Sequence, residues 1–316
     1  MTQTTEGWAA RSSQPGMDSV GRLGRGDNGT VRVPSSDHVN LAVHEFGGDG
    51  PPLLLSHATG FHGYAYLPIA DALERRFTSY AVDLRGHGDT PRPGEDVGAA
   101  THQNGADWAG YGDDALAAAR FVAPDKGLTG FGHSMGGTAL LMAAHRDPDL
   151  FDTIVVYEPI IFDPDADRPH GSPQSPLVIG ARRRRPSFDS FEAAIDNYRS
   201  KPPMSTCDPE VVRLYVAHGF GSAPEGVRLK CDPEHEARTF ENGALHRVWD
   251  LLPDISTRVV VATGVVEDTG PSAVASSIAE RLPNAIYVEI PTLNHFGPFV
   301  DPARMASLIA EAVDTG

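Results

Sequence analysis

Apolar and polar positions alternate along residues 30–33 and again along 39–46, on either side of a Ser-Ser-Asp turn. That period of two predicts an antiparallel hairpin at the edge of a sheet. From residue 52 the pattern changes. Residues 52–56 (Pro-Leu-Leu-Leu-Ser) form a continuous apolar run, expected of a strand covered on both faces. Helical and apolar segments then take turns: a helix over 66–76, a strand over 78–83, a helix over 108–122, a strand over 128–131, a helix over 137–145 and a strand over 151–157. Alternation of this kind predicts a mostly parallel, doubly wound α/β sheet. The rhythm breaks between about 160 and 249, where a Pro-rich stretch, an arginine run and helical patterns at 190–199 and 209–218 stand without a strong strand. It resumes with a strand over 258–263, a helix over 272–281, a strand over 285–290 and a helix over 302–314.

One sheet interrupted by an insertion accounts for this order more economically than two domains. Residues 29–159 and 250–316 are therefore expected to form the core. Residues 160–249 are expected to form a helical cap over the carboxyl edge of the strands, where open α/β sheets bind ligands. Two Cys-Asp-Pro-Glu stretches, at 207–210 and 231–234, read as helix starts with Asp as N-cap and Pro at the first helical position. Residues 1–28, rich in Thr, Ser, Gly and Arg, read as a flexible leader without a signal-peptide core.

Composition narrows the function. With 26 Lys and Arg against 42 Asp and Glu the formal charge is −16. A general affinity for nucleic acid or an anionic membrane would need a basic face, so neither is expected as a partner. No segment reaches the roughly 20 apolar residues of a spanning helix. Two cysteines, Cys207 and Cys231, are too few for a disulfide framework and fit a reducing, cytoplasmic setting. Small-molecule chemistry is the expectation. The spacing of Cys231, His235 and His218 matches no zinc pattern, and no dinucleotide fingerprint occurs, so neither metal nor other cofactor is expected.

The chemistry is carried by residues 130–137, Gly-Phe-Gly-His-Ser-Met-Gly-Gly. A Gly-x-Ser-x-Gly pentapeptide between an apolar strand and a helix predicts a sharp strand-to-helix turn that lifts the serine out of the sheet. Side chains are missing at Gly132 and Gly136, where the turn leaves no room for them. Ser134 is then the candidate nucleophile. The Met135 amide and the amino end of the following helix point to where an oxyanion would form.

Together with this elbow, three further motifs occur in order: His-Ala-Thr-Gly at 57–60 after an apolar strand, Asp-Leu-Arg-Gly-His-Gly at 83–88 after the next, and His295 after the last. From about residue 30 onward the chain resembles the α/β-hydrolase superfamily, in the manner of capped serine esterases and lactonases. The resemblance implies an α/β-hydrolase fold with His295 as general base. It also implies an oxyanion hole made by the amides of Met135 and, by its distance from His57, Thr59. Since the usual His-Gly is His-Ala here, Gly60 or Phe61 could supply the second amide instead. His57, Phe61 and His133 are candidate substrate contacts.

The family usually places the triad acid on the loop after the strand that follows the cap, here Gly-Val-Val-Glu-Asp-Thr-Gly at 264–270, which makes Asp268 the first choice. The common Gly-x-x-Asp spacing falls on Glu267. Some members place a carboxylate directly after the strand that follows the nucleophile helix, and Glu158 stands there, 24 residues beyond Ser134. The resemblance implies hydrolysis of a small carboxylic ester, a monoester or a lactone through an acyl-enzyme. C–C bond hydrolysis, perhydrolysis or cofactor-free haloperoxidation would use the same residues, and a non-catalytic ligand receptor is the alternative from another class. The run Arg182, Arg183, Arg184 and Arg185 reads as a solvated face, or as the source of one guanidinium that reaches the cleft and pairs with a substrate carboxylate.

Overall fold

The structure, a computed structural model, describes residues 29–95, 107–165 and 173–315. The leader expected over 1–28 lies outside them. The first half comprises β1 (Thr30–Pro34), β2 (Asn40–Gly47), β3 (Pro52–Ser56), α1 (Leu67–Ala72), β4 (Thr78–Asp83), α2 (Trp108–Val122), β5 (Leu128–His133), α3 (Met135–Arg146) and β6 (Phe151–Tyr157). The segment between the two halves of the sheet holds α4 (Pro176–Arg182), β7 (Ser187–Phe188), α5 (Phe191–Arg199), α6 (Pro209–Gly219), β8 (Phe220–Ala223), β9 (Gly226–Leu229), α7 (Pro233–Asn242) and α8 (Val248–Leu251). The second half supplies β10 (Arg258–Thr263), α9 (Ala275–Arg281), β11 (Ala285–Glu289), α10 (Gly297–Val300) and α11 (Pro302–Asp314).

Among the described residues eight strands form one sheet in the order β1-β2-β4-β3-β5-β6-β10-β11. β2 runs antiparallel to β1 and β4, and the six strands from β4 to β11 are parallel. This is the α/β-hydrolase fold, a large, mostly parallel sheet with helices on both faces. Because successive side chains of a strand point to opposite faces, each central strand feeds two cores. Leu54, Ile154, Val156, Val259 and Val261 pack on the side of α2, α3 and α9. Leu53, Leu55, Phe131, Val155 and Val260 pack on the side of α1 and α11. The second core continues into the insertion through Phe188, Val211, Val212 and Phe220.

The insertion, expected as helical patterns without a strong strand, also holds three short strands among its described residues. β7, β9 and β8 form a small antiparallel sheet, with β8 and β9 joined by a turn over 224–225 that enters β9 at Gly226, whose φ is +97°. Both Cys-Asp-Pro-Glu stretches do open helices. Asp208 accepts a hydrogen bond from the Glu210 amide (2.7 Å), and Asp232 accepts from the amides of Glu234 (2.9 Å) and His235 (3.3 Å).

The Asp-Leu-Arg-Gly-His-Gly turn after β4 is scaffolding. Arg85 is buried and donates to both carboxylate oxygens of Asp114 on α2 (2.8 and 2.9 Å) and to Asp37 in the β1–β2 turn (2.8 Å). Such a bidentate pair ties helix, hairpin and turn together. Asp83 accepts from the amides of Gly63 and Asp89 (2.7 and 2.8 Å) and from His44 Nε2 (2.9 Å). Close by, the Lys230 ammonium donates to Asp89 at 2.6 Å, so the acidic group His44, Asp83 and Asp89 already holds an internal cation. Among the described residues no helix is long and apolar enough to cross a membrane.

Candidate active site

Ser134 sits between β5 and α3 with φ 56° and ψ −118°, a conformation that few residues other than glycine adopt. The surrounding structure enforces it. A Cβ on Gly136 would run into the carbonyl oxygen of Ser56 on β3, and one on Gly132 would meet the Gly137 backbone at 2.5 Å. Strand and helix therefore cross at van der Waals contact, and the serine is turned out at the crossing. Met135 opens α3, so its N–H is among the first four of the helix, which have no partner within it.

The loop after β3 lies against this turn. The Thr59 hydroxyl reaches Met135 Sδ at 3.5 Å, bringing together the two residues expected to flank the oxyanion. Two other amides of the loop are engaged. That of Ala58 donates to Tyr66 Oη (3.0 Å), and that of Phe61 closes a turn on the Ala58 carbonyl (3.1 Å). The Phe61 amide is therefore not available to an oxyanion, which leaves those of Thr59 and Gly60.

His57 is fully buried. Its Nδ1 donates to the Ala58 carbonyl (2.8 Å) and its Nε2 accepts from the Leu84 amide (2.9 Å). Burial lowers its pKa to about 3, so it is neutral and pins the loop to the end of β4. Both nitrogens are used inside the protein, so neither is free to hydrogen-bond a substrate. The same holds for His133, whose Nδ1 meets Tyr66 Oη and whose Nε2 meets the His295 carbonyl, both at 2.8 Å. Phe61 does face a cavity. It stacks on Phe299, with ring centroids 4.2 Å apart, and lines the cavity with Phe296.

His295 lies on the loop after β11. The Tyr157 hydroxyl donates to the Asn294 carbonyl (2.7 Å) and His133 to that of His295, so two consecutive carbonyls of this loop are held from the ends of β6 and β5. His295 Nδ1 meets Glu158 Oε2 at 2.7 Å. The other Glu158 oxygen accepts from the Thr263 hydroxyl (3.0 Å) and the Gly264 amide (2.9 Å). Burial alone would raise the Glu158 pKa. The hydrogen bond from His295 and its electrostatic attraction, with the Gly264 and Thr263 donors, outweigh that and hold the carboxyl below its ordinary range. An ionised, acceptor-only group beside Nδ1 fixes the imidazole as the Nδ1–H tautomer and leaves the Nε2 lone pair outward.

Glu158, not the first-choice Asp268, is thus the carboxylate against His295. The physical reason lies in the loop after β10. Val265 N donates to the Leu293 carbonyl at 2.7 Å and Gly264 packs directly on that carbonyl, so the start of this loop is held against Leu293 while the Gly264 amide serves Glu158. Glu267 and Asp268 lie exposed beyond that point. Glu158 ends β6 between β5 and β10 with φ 46°, a second strained residue, and its amide is held by the Ala262 carbonyl (2.9 Å).

The insertion meets this site from above the carboxyl ends of β3 and β4. Tyr215 Oη donates to the Gly60 carbonyl at 3.3 Å, and Arg184 hydrogen-bonds to Glu236, to Tyr215 Oη and, at 2.9 Å, to Tyr198 Oη. A cavity of about 470 Å³ opens there, lined by Phe61, Phe296, Met204, Lys201, Arg184 and Tyr198 among others. The arginine run divides accordingly. Arg182 pairs with Glu234 and Glu241 at the surface, Arg183 is exposed, and Arg185 lies over the Phe188 ring. Arg184 alone of the four lines the cavity.

The Alpha/beta hydrolase family model matches residues 53–308, a span that includes the elbow, His295 and Glu158. The chain belongs to this family. It is, by that membership, a hydrolase. Over 281 residues it is 24% identical to a 2-(acetamidomethylene)succinate hydrolase of Mesorhizobium japonicum, covering 87% of this chain and 92% of the relative. It is 26% identical over 285 residues to a pimeloyl-[acyl-carrier protein] methyl ester esterase of Chromobacterium violaceum, covering 88% and 99%. A thermophilic esterase from Thermogutta terrifontis, solved with malate bound, superposes with a TM-score of 0.64 at 21% identity, covering 91% of this chain and 98% of that one.

Proposed function

We propose that the protein is a serine hydrolase of small carboxylic esters, with Ser134 as nucleophile, His295 as base and Glu158 as the acid that orients it. The observations that carry this reading are a strained serine at a helix amino end and, on a loop tied by its carbonyl to the preceding residue His133, a histidine whose Nδ1 is held at 2.7 Å by a buried carboxylate. In the forward step His295 Nε2 takes the Ser134 hydroxyl proton as Oγ attacks the ester carbon. The Met135 and Thr59 amides receive the oxyanion, and His295 returns the proton to the departing alkoxide, leaving an acyl-serine and an alcohol. Water activated by the same histidine then releases the acid and restores Ser134. We read the insertion as a cap; its cavity is lined by Phe61 and Phe296, residues of the loops that carry Thr59 and His295, and is the place proposed for the part of the substrate beyond the reacting ester, with a size that suits an ester of modest length.

The relatives named for ester hydrolysis support this reading, and the relative named for a succinate derivative bears on the substrate. Arg184 was a candidate to pair with a substrate carboxylate, but three of its five N–H donors are committed to Glu236, Tyr198 and Tyr215. Lys201, hydrogen-bonded to Asn197 at 2.9 Å, is a second cation lining the cavity among the described residues. The test is pre-steady-state hydrolysis of p-nitrophenyl acetate and butyrate, followed by a comparison of a dicarboxylic monoester with its neutral diester. A burst of one p-nitrophenolate per chain is expected; turnover without a burst in the presence of slow deacylation, or no turnover of any ester, contradicts the proposal.

A further inference from the structure

Three residues that share in the proposed chemistry have, as a neighbour or in their own backbone, a link in one hydrogen-bond chain. The Ala58 amide, one residue before Thr59, donates to Tyr66 Oη at 3.0 Å. Tyr66 Oη meets Nδ1 of His133, one residue before Ser134, at 2.8 Å. His133 Nε2 meets the carbonyl of His295 itself at 2.8 Å. The direction of every bond is forced. A carbonyl only accepts, so His133 Nε2 carries the proton; the Nδ1 of a neutral imidazole then accepts from the Tyr66 hydroxyl; the oxygen of that hydroxyl accepts from Ala58. Tyr66 and His133 are both buried, and burial together with the neighbouring His295 holds the His133 pKa well below 6.5, which keeps the ring neutral and the chain in one orientation. Bonds in such a series polarise one another in a dry interior.

We propose that Tyr66 and His133 are positioning residues that hold the oxyanion loop and the base loop in register with the nucleophile. The inference rests on the reading of Ser134, His295 and the Thr59 amide given above. Its physical content is preorganisation. Oxyanion stabilisation requires donors fixed before charge develops, and a displacement near 1 Å at a reacting group costs on the order of a hundredfold in rate. Tyr66 is suited to the task because α1 and the turn before it place its ring against Phe131 and Phe299, so the hydroxyl is delivered by a rigid core rather than a mobile loop.

The alternative is that these side chains merely fill the core, and substitutions that keep the filling separate the two. Tyr66→Phe retains the ring and removes only the hydroxyl. His133→Leu removes both links, whereas His133→Gln places an amide donor where Nε2 stands. Steady-state kinetics on p-nitrophenyl acetate, melting temperatures and covalent labelling by a fluorophosphonate are measured on the full chain. Tyr66→Phe is expected to lower kcat by about 10- to 100-fold with KM within about twofold, and His133→Leu by at least as much. His133→Gln is expected to recover part of the loss. The double variant Tyr66→Phe with His133→Leu should be no slower than the worse single one, since both break one chain. Unchanged kcat beside a lowered melting temperature, or losses that multiply in the double variant, would overturn the inference while wild-type labelling at Ser134 leaves the hydrolase reading standing. Failure of the wild type to label or to turn over an ester would overturn that reading, and this one with it.

Discussion

Replacing Glu158 with glutamine changes one heavy atom and, by the geometry here, the tautomer of His295. In the native protein one carboxylate oxygen accepts from Thr263 and Gly264 and the other accepts from His295 Nδ1–H. A glutamine amide has only one acceptor oxygen. The Gly264 N–H cannot become an acceptor, so the amide oxygen must stay on the Thr263 and Gly264 side, and the NH₂ must face His295. Nδ1 is then obliged to accept, the proton moves to Nε2, and the nitrogen proposed to take the Ser134 proton no longer has a lone pair. Loss of the correct tautomer is worth up to about 10⁴ in kcat, or about 5 kcal/mol of transition-state stabilisation. Packing is hardly touched, because the two side chains have nearly the same shape. The assay is kcat on p-nitrophenyl acetate for Glu158→Gln beside Asp268→Asn, with folding checked by circular dichroism. A folded Glu158→Gln variant within tenfold of wild type, or an Asp268→Asn variant that is the inactive one, would refute the argument.

Arg184→Gln should cost stability rather than chemistry. It leaves Glu236, only 8% exposed in its side chain, without its cation, a loss of about 3 kcal/mol in urea unfolding, and the double variant with Glu236→Gln should recover most of it. The same measurement against pH reports on Glu158. Its folded pKa is depressed relative to the unfolded chain, so its contribution is complete above the ordinary carboxylate value near 4 and is lost as pH falls through the folded value. Between about pH 5 and pH 3 the wild type should therefore lose stability more steeply than Glu158→Gln; equal slopes would contradict the assigned direction.

The core elements were legible because they are long and periodic. The strands over 78–83, 151–157 and 258–263, and the helices over 108–122 and 302–314, stand where the apolar pattern put them. The small sheet of the insertion was not legible, since β7 has two residues and β8 and β9 four each, too few to display a period of two. Gly226 between two short apolar stretches was the available signal. For the carboxylate beside His295, the spacing after β10 misdirected the reading because the start of that loop at Gly264 is held by a contact with Leu293 that sequence does not display. The better clue was physical: an acid at the end of the buried run Val155-Val156-Tyr157 must find a partner to remain charged. His57 and His133 carry the look of site residues, yet their nitrogens are spent on Ala58, Leu84, Tyr66 and His295, partners up to 162 residues apart. No local pattern reveals such closures.

The central claim is that Ser134 is the nucleophile activated by His295. Labelling with a fluorophosphonate, followed by peptide mapping, tests it most directly. The account predicts one phosphonyl group per chain on Ser134, none on Ser134→Ala, and labelling slowed by at least about a thousandfold in His295→Ala, because nucleophile and base act as a unit. Modification at another residue, or ester turnover that survives in Ser134→Ala, would contradict it.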